Sequence, residues 1–166
     1  MRNISPKEII GNPFAMIGDQ WMLITAGDGE KCNTMTASWG GLGVLWNAPV
    51  ATCYVRPQRY TKEFVDREEL YTLCFFDGYK KELAYLGSHS GRDEDKVAKT
   101  GLTPVFGQGF TYFAEAKLVL VCRKLYRAPL KEEGFFFRET VEKNYPDRDF
   151  HDLYIGQIVK VLVADE

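Results

Sequence analysis

Asn33-Thr34-Met35-Thr36-Ala37-Ser38-Trp39-Gly40-Gly41, then Val50-Ala51-Thr52-Cys53-Tyr54-Val55, then Arg56-Pro57-Gln58-Arg59-Tyr60-Thr61: the fold of this chain turns on this stretch. Its first part alternates small polar with apolar residues and breaks at glycines. That is the pattern of a strand whose backbone must approach a ligand closely. Its second part reads as a buried strand, Val50–Val55, that delivers two arginines and a threonine to the start of a helix. Cations, a hydroxyl and the free N–H groups of a first helical turn together form a receptor for phosphate. From the residues alone, then, we expect a closely packed ligand that ends in a phosphate.

Upstream, residues 1–12 read as a polar arm, and Phe14–Gly18 and Trp21–Gly27 as short strands parted by a Gly18-Asp19 turn. Asp28-Gly29-Glu30-Lys31 reads as a hairpin loop, because Asp-Gly readily supplies positive φ. Downstream, Thr61–Glu69 reads as a helix with Thr61 as N-cap and Phe64 and Val65 inward. Leu70–Phe76 is a strand, and Tyr79, Leu83 and Leu86 recur at helical spacing before Gly87. Ser90 with Asp93 fits a capping pattern, opening a helix from about Gly91 that Gly101 closes. Gly107-Gln108-Gly109 lacks a third glycine and precedes a strand, which excludes a dinucleotide fingerprint.

Thr111–Ala128 reads as one long extended segment. Leu118, Leu120 and Cys122 lie on one face and Val119 and Val121 on the other, so both faces should be covered, by a helix or by a second subunit. Phe135–Asn144 reads as a short helix. Leu153–Val163 reads as the last strand, with Leu153, Ile155, Val159, Val161 and Val163 on one face and Gln157 interrupting it. Short strands, long crossings and few helices favour an antiparallel β-barrel over a parallel sheet.

Composition narrows the function. At 166 residues the chain is one domain by size, and a net charge of −2 argues against sequence-independent nucleic-acid binding. No apolar run is long enough to span a bilayer, and no leader pattern is seen at the start. Cys32, Cys53, Cys74 and Cys122 are far apart, and Cys53 and Cys74 lie in apolar strands. Reduced thiols and a cytoplasmic location are expected, with no metal site, since His89 and His151 are the only histidines.

The Asn-Thr-Met-Thr-Ala-Ser-Trp-Gly run of 33–40, followed at this distance by Arg-Pro-x-Arg-Tyr-Thr, resembles the flavin reductase-like proteins with an FMN-binding split β-barrel. Ser90–Lys96 and Tyr145–Gln157 extend the likeness over nearly the whole chain. The resemblance implies a mainly β domain over residues 1–166, a barrel with short helices, forming a homodimer with FMN at its interface. In it Asn33, Thr36, Ala37, Ser38 and Trp39 belong to the cofactor-binding run, the last four lining the isoalloxazine ring. Arg56, Arg59 and Thr61 would bind the phosphate, and Ser90, Gly91 and Lys96 would lie against the flavin.

The resemblance also gives His151 a catalytic place, near the ring where a nicotinamide or other electron partner approaches. The implied activity is hydride transfer from NAD(P)H to flavin and on to a small-molecule or protein acceptor. The alternative is an FMN-binding electron carrier without an NAD(P)H site. Read as residues alone, Trp39 equally suits a core aromatic, Arg59 a solvated helix start, Thr61 and Ser90 simple caps, and His151 a structural histidine. Gln157 departs from the family pattern, which carries an acidic residue there.

Overall fold

The computed structural model describes residues 1–29 and 31–165. Along these residues run ten strands and four α-helices: β1 (Arg2–Ile4), β2 (Met22–Asp28), β3 (Lys31–Ala37), β4 (Gly40–Leu45), β5 (Ala48–Val55), α1 (Tyr60–Arg67), β6 (Leu70–Phe75), α2 (Lys80–Ser88), α3 (Lys96–Thr100), β7 (Pro104–Phe106), β8 (Thr111–Phe113), β9 (Leu118–Pro129), α4 (Arg138–Asn144) and β10 (Asp152–Val163). Among the described residues, eight strands form one antiparallel sheet in the order β3-β2-β6-β9-β10-β5-β4, with β1 beside β10, while β7 and β8 pair separately. The chain is mainly β with short helices, as its pattern implied.

β3 and β4 end the strand order at opposite edges, yet only Ser38 and Trp39 separate them in sequence. Among the described residues the sheet is therefore open along the outer edge of β3, whose backbone N–H and C=O groups on that side pair with no strand. Helix α2 packs against this strand, and the Thr36 hydroxyl donates to the Leu83 carbonyl.

Two apolar clusters hold the sheet. Ile24, Cys53, Val55, Tyr71, Leu120, Cys122, Tyr154 and Val161 share the interior with Phe64 and Val65 of α1. On the other side, Cys74, Val119 and Val121 meet Leu83 and Leu86 of α2 together with Leu102, Phe110 and Phe113. The two-faced run at Leu118–Cys122 is thus covered on both sides within one chain, by α1 and the sheet on one and by α2 and the β7–β8 unit on the other. A second subunit is not needed to explain it.

Several local expectations are corrected. Phe14–Gly18 is no strand: Ala15–Gln20 form a π-type helical segment after a helical turn at Pro13 and Phe14. Asn12 Oδ1 accepts from the Phe14 N–H at 3.0 Å and Asn12 O from the Met16 N–H at 2.9 Å. The Asn-Pro pair is a helix-start signal that a short apolar run concealed. Gly40 does permit a close approach, but to protein: a Cβ there would lie 2.6 Å from the Thr52 carbonyl oxygen of β5. Gly40–Leu45 is itself a strand, joined to β5 by Trp46 and Asn47 at φ 50° and 57°, the positive pair of a type I′ hairpin.

The extended segment expected over Thr111–Ala128 breaks into β8 and β9. The helix expected from Phe135 starts at Arg138. On β10 the facing is also different. Register shifts at Ile155/Gly156 and Ile158/Lys160 put Tyr154, Ile158 and Val161 inside and leave Val159 exposed. An added residue reverses the alternation, which no period-2 count foresees. Asp28 and Lys31, expected in the hairpin loop, are the paired ends of β2 and β3, and Gly29 between them has φ 50°; residue 30 lies outside the described residues.

Candidate functional site

A groove follows the open edge of β3. Two adjoining hollows make it up, one of about 350 Å³ and one of about 240 Å³, and they share Met35, Arg56 and Arg59. The larger is polar and gathers Asn33 of β3, Thr61 of α1, Ser90 and Gly91 of the loop between α2 and α3, and Lys96 at the start of α3. The smaller is lined by Thr36, Ala37, Ser38, Trp39, Tyr54 and His151. Every residue read from the sequence as a site residue lines one lobe or both.

The polar lobe is cationic by construction. Lys96 is 4% exposed, and its ammonium donates to the Leu86 and His89 carbonyls at 2.7 and 2.9 Å. Arg59 Nη1 donates to the Gly87 carbonyl at 2.8 Å. Carbonyls solvate these charges without neutralising them. Burial, and then Arg59, lowers the Lys96 pKa to about 8, while Glu94 raises it. The Arg59 pKa is lowered as well, by burial and then by Arg56. Two cations confined together in this way gain from an incoming anion.

Thr61 is not the helix cap. Arg59 occupies that position without a side-chain cap bond, and Thr61, inside the first turn, accepts from Asn33 Nδ2 at 2.8 Å. Its own hydroxyl proton is thereby left for a group in the lobe. Gly91 presses against this pair, since a Cβ there would lie 2.2 Å from Asn33 Oδ1. Ser90 and Asp93 do not cap α3 either. Asp95 does, accepting from the Ala98 N–H at 3.0 Å, while Ser90 Oγ accepts from the Arg92 N–H.

Arg56 stands at the seam of the two lobes. Its Nη1 donates to Asp149 Oδ2 and its Nη2 to the Asn144 carbonyl at 2.8 Å, and its guanidinium lies 5.1 Å from the Tyr145 ring centroid. Read from sequence as a fork for phosphate, it already holds the segment between α4 and β10 against β5. Gln58 Nε2 joins the same Asp149 oxygen at 2.7 Å.

In the smaller lobe Trp39 is 46% exposed, so it is not a core aromatic, and its ring lies 5.2 Å from that of His151. His151 is buried, with Nδ1 2.9 Å from the Tyr145 hydroxyl. Burial, and then Arg56, pushes its pKa down to about 4, with Arg59 also lowering it and Asp149 opposing. A neutral imidazole therefore faces the lobe at physiological pH. Gln157 pairs with Val50 and Arg123 in mid-sheet and lines neither lobe.

Sequence reasoning missed Tyr54 and Tyr145. Tyr54 could have been found by alternation, since Cys53 and Val55 on either side point inward. Tyr145 carries no local signal, because its role depends on contacts with Arg56 and His151.

The family model of the flavin reductase-like domain matches residues 15–166. The chain belongs to the flavin reductase-like family. No curated protein matches it. Among solved structures, flavoredoxin from Methanosarcina acetivorans is 22% identical with a TM-score of 0.66, over 88% of this chain and 69% of that one. The FMN-binding protein from Thermus thermophilus with bound p-hydroxybenzaldehyde is 21% identical with a TM-score of 0.68, over 99% and 83%. The NADH:FAD oxidoreductase of Streptomyces globisporus C-1027 is 16% identical with a TM-score of 0.64, over 87% and 75%. At these identities the neighbours show the flavin reductase-like split-barrel fold.

Proposed function

We propose that this chain is an FMN-binding oxidoreductase of the flavin reductase type, a single functional unit over residues 1–166 that works as a cytoplasmic homodimer. The observation that carries this reading is the two-lobed groove, cationic at one end and bounded by an open strand edge and aromatic rings at the other. Such a site suits a flat heteroaromatic ring with a phosphorylated tail. Lys96, Arg59, the Thr61 hydroxyl and the first N–H groups of α1 would hold the phosphate, with Arg56 adding its charge from the seam. The backbone of Thr36–Trp39 and the Trp39 and His151 side chains would hold the ring. Asn33, Ser90 and Gly91 shape the passage between.

The chemistry a bound flavin supplies is hydride and electron transfer, here with NAD(P)H as donor and a small-molecule or protein acceptor. The protein's part is to position the ring, exclude water on the α2 side and keep His151 uncharged beside it. A third hollow of about 610 Å³ adjoins the ring lobe through Ser38, Trp39 and Tyr54. It is lined by Phe14 and Leu42, and Val44 and Trp46 of the β4 hairpin are exposed as well. An apolar surface of this kind supports coverage by a second subunit, as in obligate dimers that bury on the order of 2,000 Å² or more.

Two measurements test the reading. The purified protein should be yellow, and the flavin freed by heat should be FMN; recovery of FAD alone, or of no flavin after reconstitution, overturns it. Anaerobic NADH or NADPH should bleach the FMN-loaded protein rapidly. Absence of bleaching assigns an electron carrier instead, and a monomer by light scattering at micromolar concentration removes the dimer.

A further inference from the structure

Tyr145 sits just after α4, and its ring packs among Phe135, Phe150 and the Arg56 guanidinium, at 5.9, 4.8 and 5.1 Å. None of these can accept a hydrogen bond. The Tyr145 hydroxyl has one polar partner among the described residues, His151 Nδ1 at 2.9 Å. If the tyrosine donates, its buried proton is satisfied. If Nδ1 donates instead, that proton finds no acceptor among the described residues, and an unmade buried hydrogen bond costs more than a made one returns. Burial also raises the Tyr145 pKa, which keeps the proton on its oxygen, while His151 is uncharged.

A neutral imidazole whose Nδ1 accepts carries its proton on Nε2. Nε2 has no hydrogen-bond partner among the described residues, and it is not among the sealed unpartnered atoms, which are Tyr71 Oη and Asp149 Oδ1. It therefore opens on the lobe that His151 lines beside Thr36–Trp39.

We infer that Tyr145 is a positioning residue that sets the Nε2–H tautomer of His151, making this histidine a fixed hydrogen-bond donor to the ligand in the ring lobe. The matching ligand group is a carbonyl oxygen or an unprotonated ring nitrogen at the edge of a heteroaromatic system. That this ring is a flavin rests on the reading above; the tautomer does not. The same hydrogen bond ties the ring lobe to the segment that Arg56 holds against β5, since Arg56 contacts the ring of Tyr145 and the carbonyl of Asn144 beside it.

The test needs no cofactor. Long-range proton–nitrogen correlation spectra report histidine tautomers directly, and His89→Gln leaves His151 as the only histidine of the chain. His151 should show the Nε2–H pattern, unchanged between pH 8 and 5. In Tyr145→Phe the ring nitrogens should shift towards a mixture of tautomers, while circular dichroism stays the same. FMN added to the wild type should move the Nε2–H proton resonance, and riboflavin should do likewise, because both carry the ring. An Nδ1–H pattern in the wild type overturns the inference, as does a Tyr145→Phe spectrum identical to wild type. If Tyr145→Phe does not fold, the wild-type tautomer decides alone. Failure of both flavins to bind, with the tautomer as expected, would fail the flavin reading and leave Tyr145 in its role.

Discussion

Within the barrel, Gly156 of β10 lies against the Tyr71 hydroxyl and Cys122, where a Cβ would come within 2.3 Å of the one and 2.8 Å of the Cβ of the other. Along the split edge, buried Lys96 and His151 and half-buried Arg59 are each held by directed hydrogen bonds. The interior is specified by volume. Among the described residues, the Tyr71 hydroxyl there has no partner beyond what the weak Cys53 thiol beside it offers. The groove is specified by donors and acceptors, with charges solvated by carbonyls rather than cancelled. Stability and ligand affinity should therefore respond to different residues.

The largest effect is expected inside. Gly156→Ala forces Tyr71, Cys122 or the backbone to move and should cost about 2–3 kcal/mol, the upper part of the overpacking range, as read by urea unfolding. Tyr71→Phe removes an unpartnered hydroxyl and should be close to neutral. Combined, the two should cost less than Gly156→Ala alone, because the closest clash is with that hydroxyl. A strictly additive double mutant would mean that Cys122, not Tyr71, sets the constraint.

In the groove, Arg59→Ala should weaken FMN through loss of a charge-assisted hydrogen bond of about 1.5–3 kcal/mol, roughly ten- to 150-fold, and leave riboflavin unaffected. Arg56→Ala should behave differently. It releases Asp149 and the Asn144 carbonyl, and with them the Tyr145–His151 pair, so riboflavin should weaken along with FMN. If Arg56→Ala instead spares riboflavin, Arg56 acts on phosphate alone, and the seam role assigned to it fails. Titration calorimetry with both flavins separates the cases.

The smallest effect concerns pH. Lys96, with its pKa lowered to about 8, is charged at pH 7 and loses its proton as pH rises. FMN affinity should fall through pH 8, by up to roughly tenfold per unit beyond it, whereas riboflavin affinity stays flat. Lys96→Arg should abolish the dependence. Stability runs the other way: the unfolded chain keeps this proton to about pH 10.5, so between about 8 and 10.5 the folded state gains as pH rises. For His151 the folded pKa of about 4 lies below the ordinary 6.5. Its contribution is present above pH 6.5 and is lost as pH falls towards 4. His151→Gln should remove that part of the acid sensitivity.

Much of this contrast can be traced to what local pattern can encode. β2, β5, β6 and most of β10 were legible from alternation and apolar runs, and α2 from helical spacing, because neighbours along the chain share those constraints. The same logic failed at Phe14–Gly18, where a short apolar run fits helix and strand alike. It failed again on β10, where a bulge exchanges the two faces. In the groove, the residue types that suit a phosphate and a flat ring stood in the sequence in order, from Asn33 to Lys96.

A mainly β chain of the flavin reductase-like pattern, the cations and hydroxyls of its groove, and the apolar strand that needs cover on both faces are all written in the order of the residues. How those groups are engaged is written only in the folded chain. It showed that α2 and the β7–β8 unit supply one cover, that Arg56 is tied to Asp149 and Asn144, that Thr61 accepts from Asn33 instead of capping α1, and that Tyr145 meets His151. The cause is range. Periodicity is set by residues a few positions apart, whereas Arg56 and Asp149 are 93 positions apart and meet only because β10 lies beside β5. Which donor finds which acceptor across that distance is a property of the folded sheet.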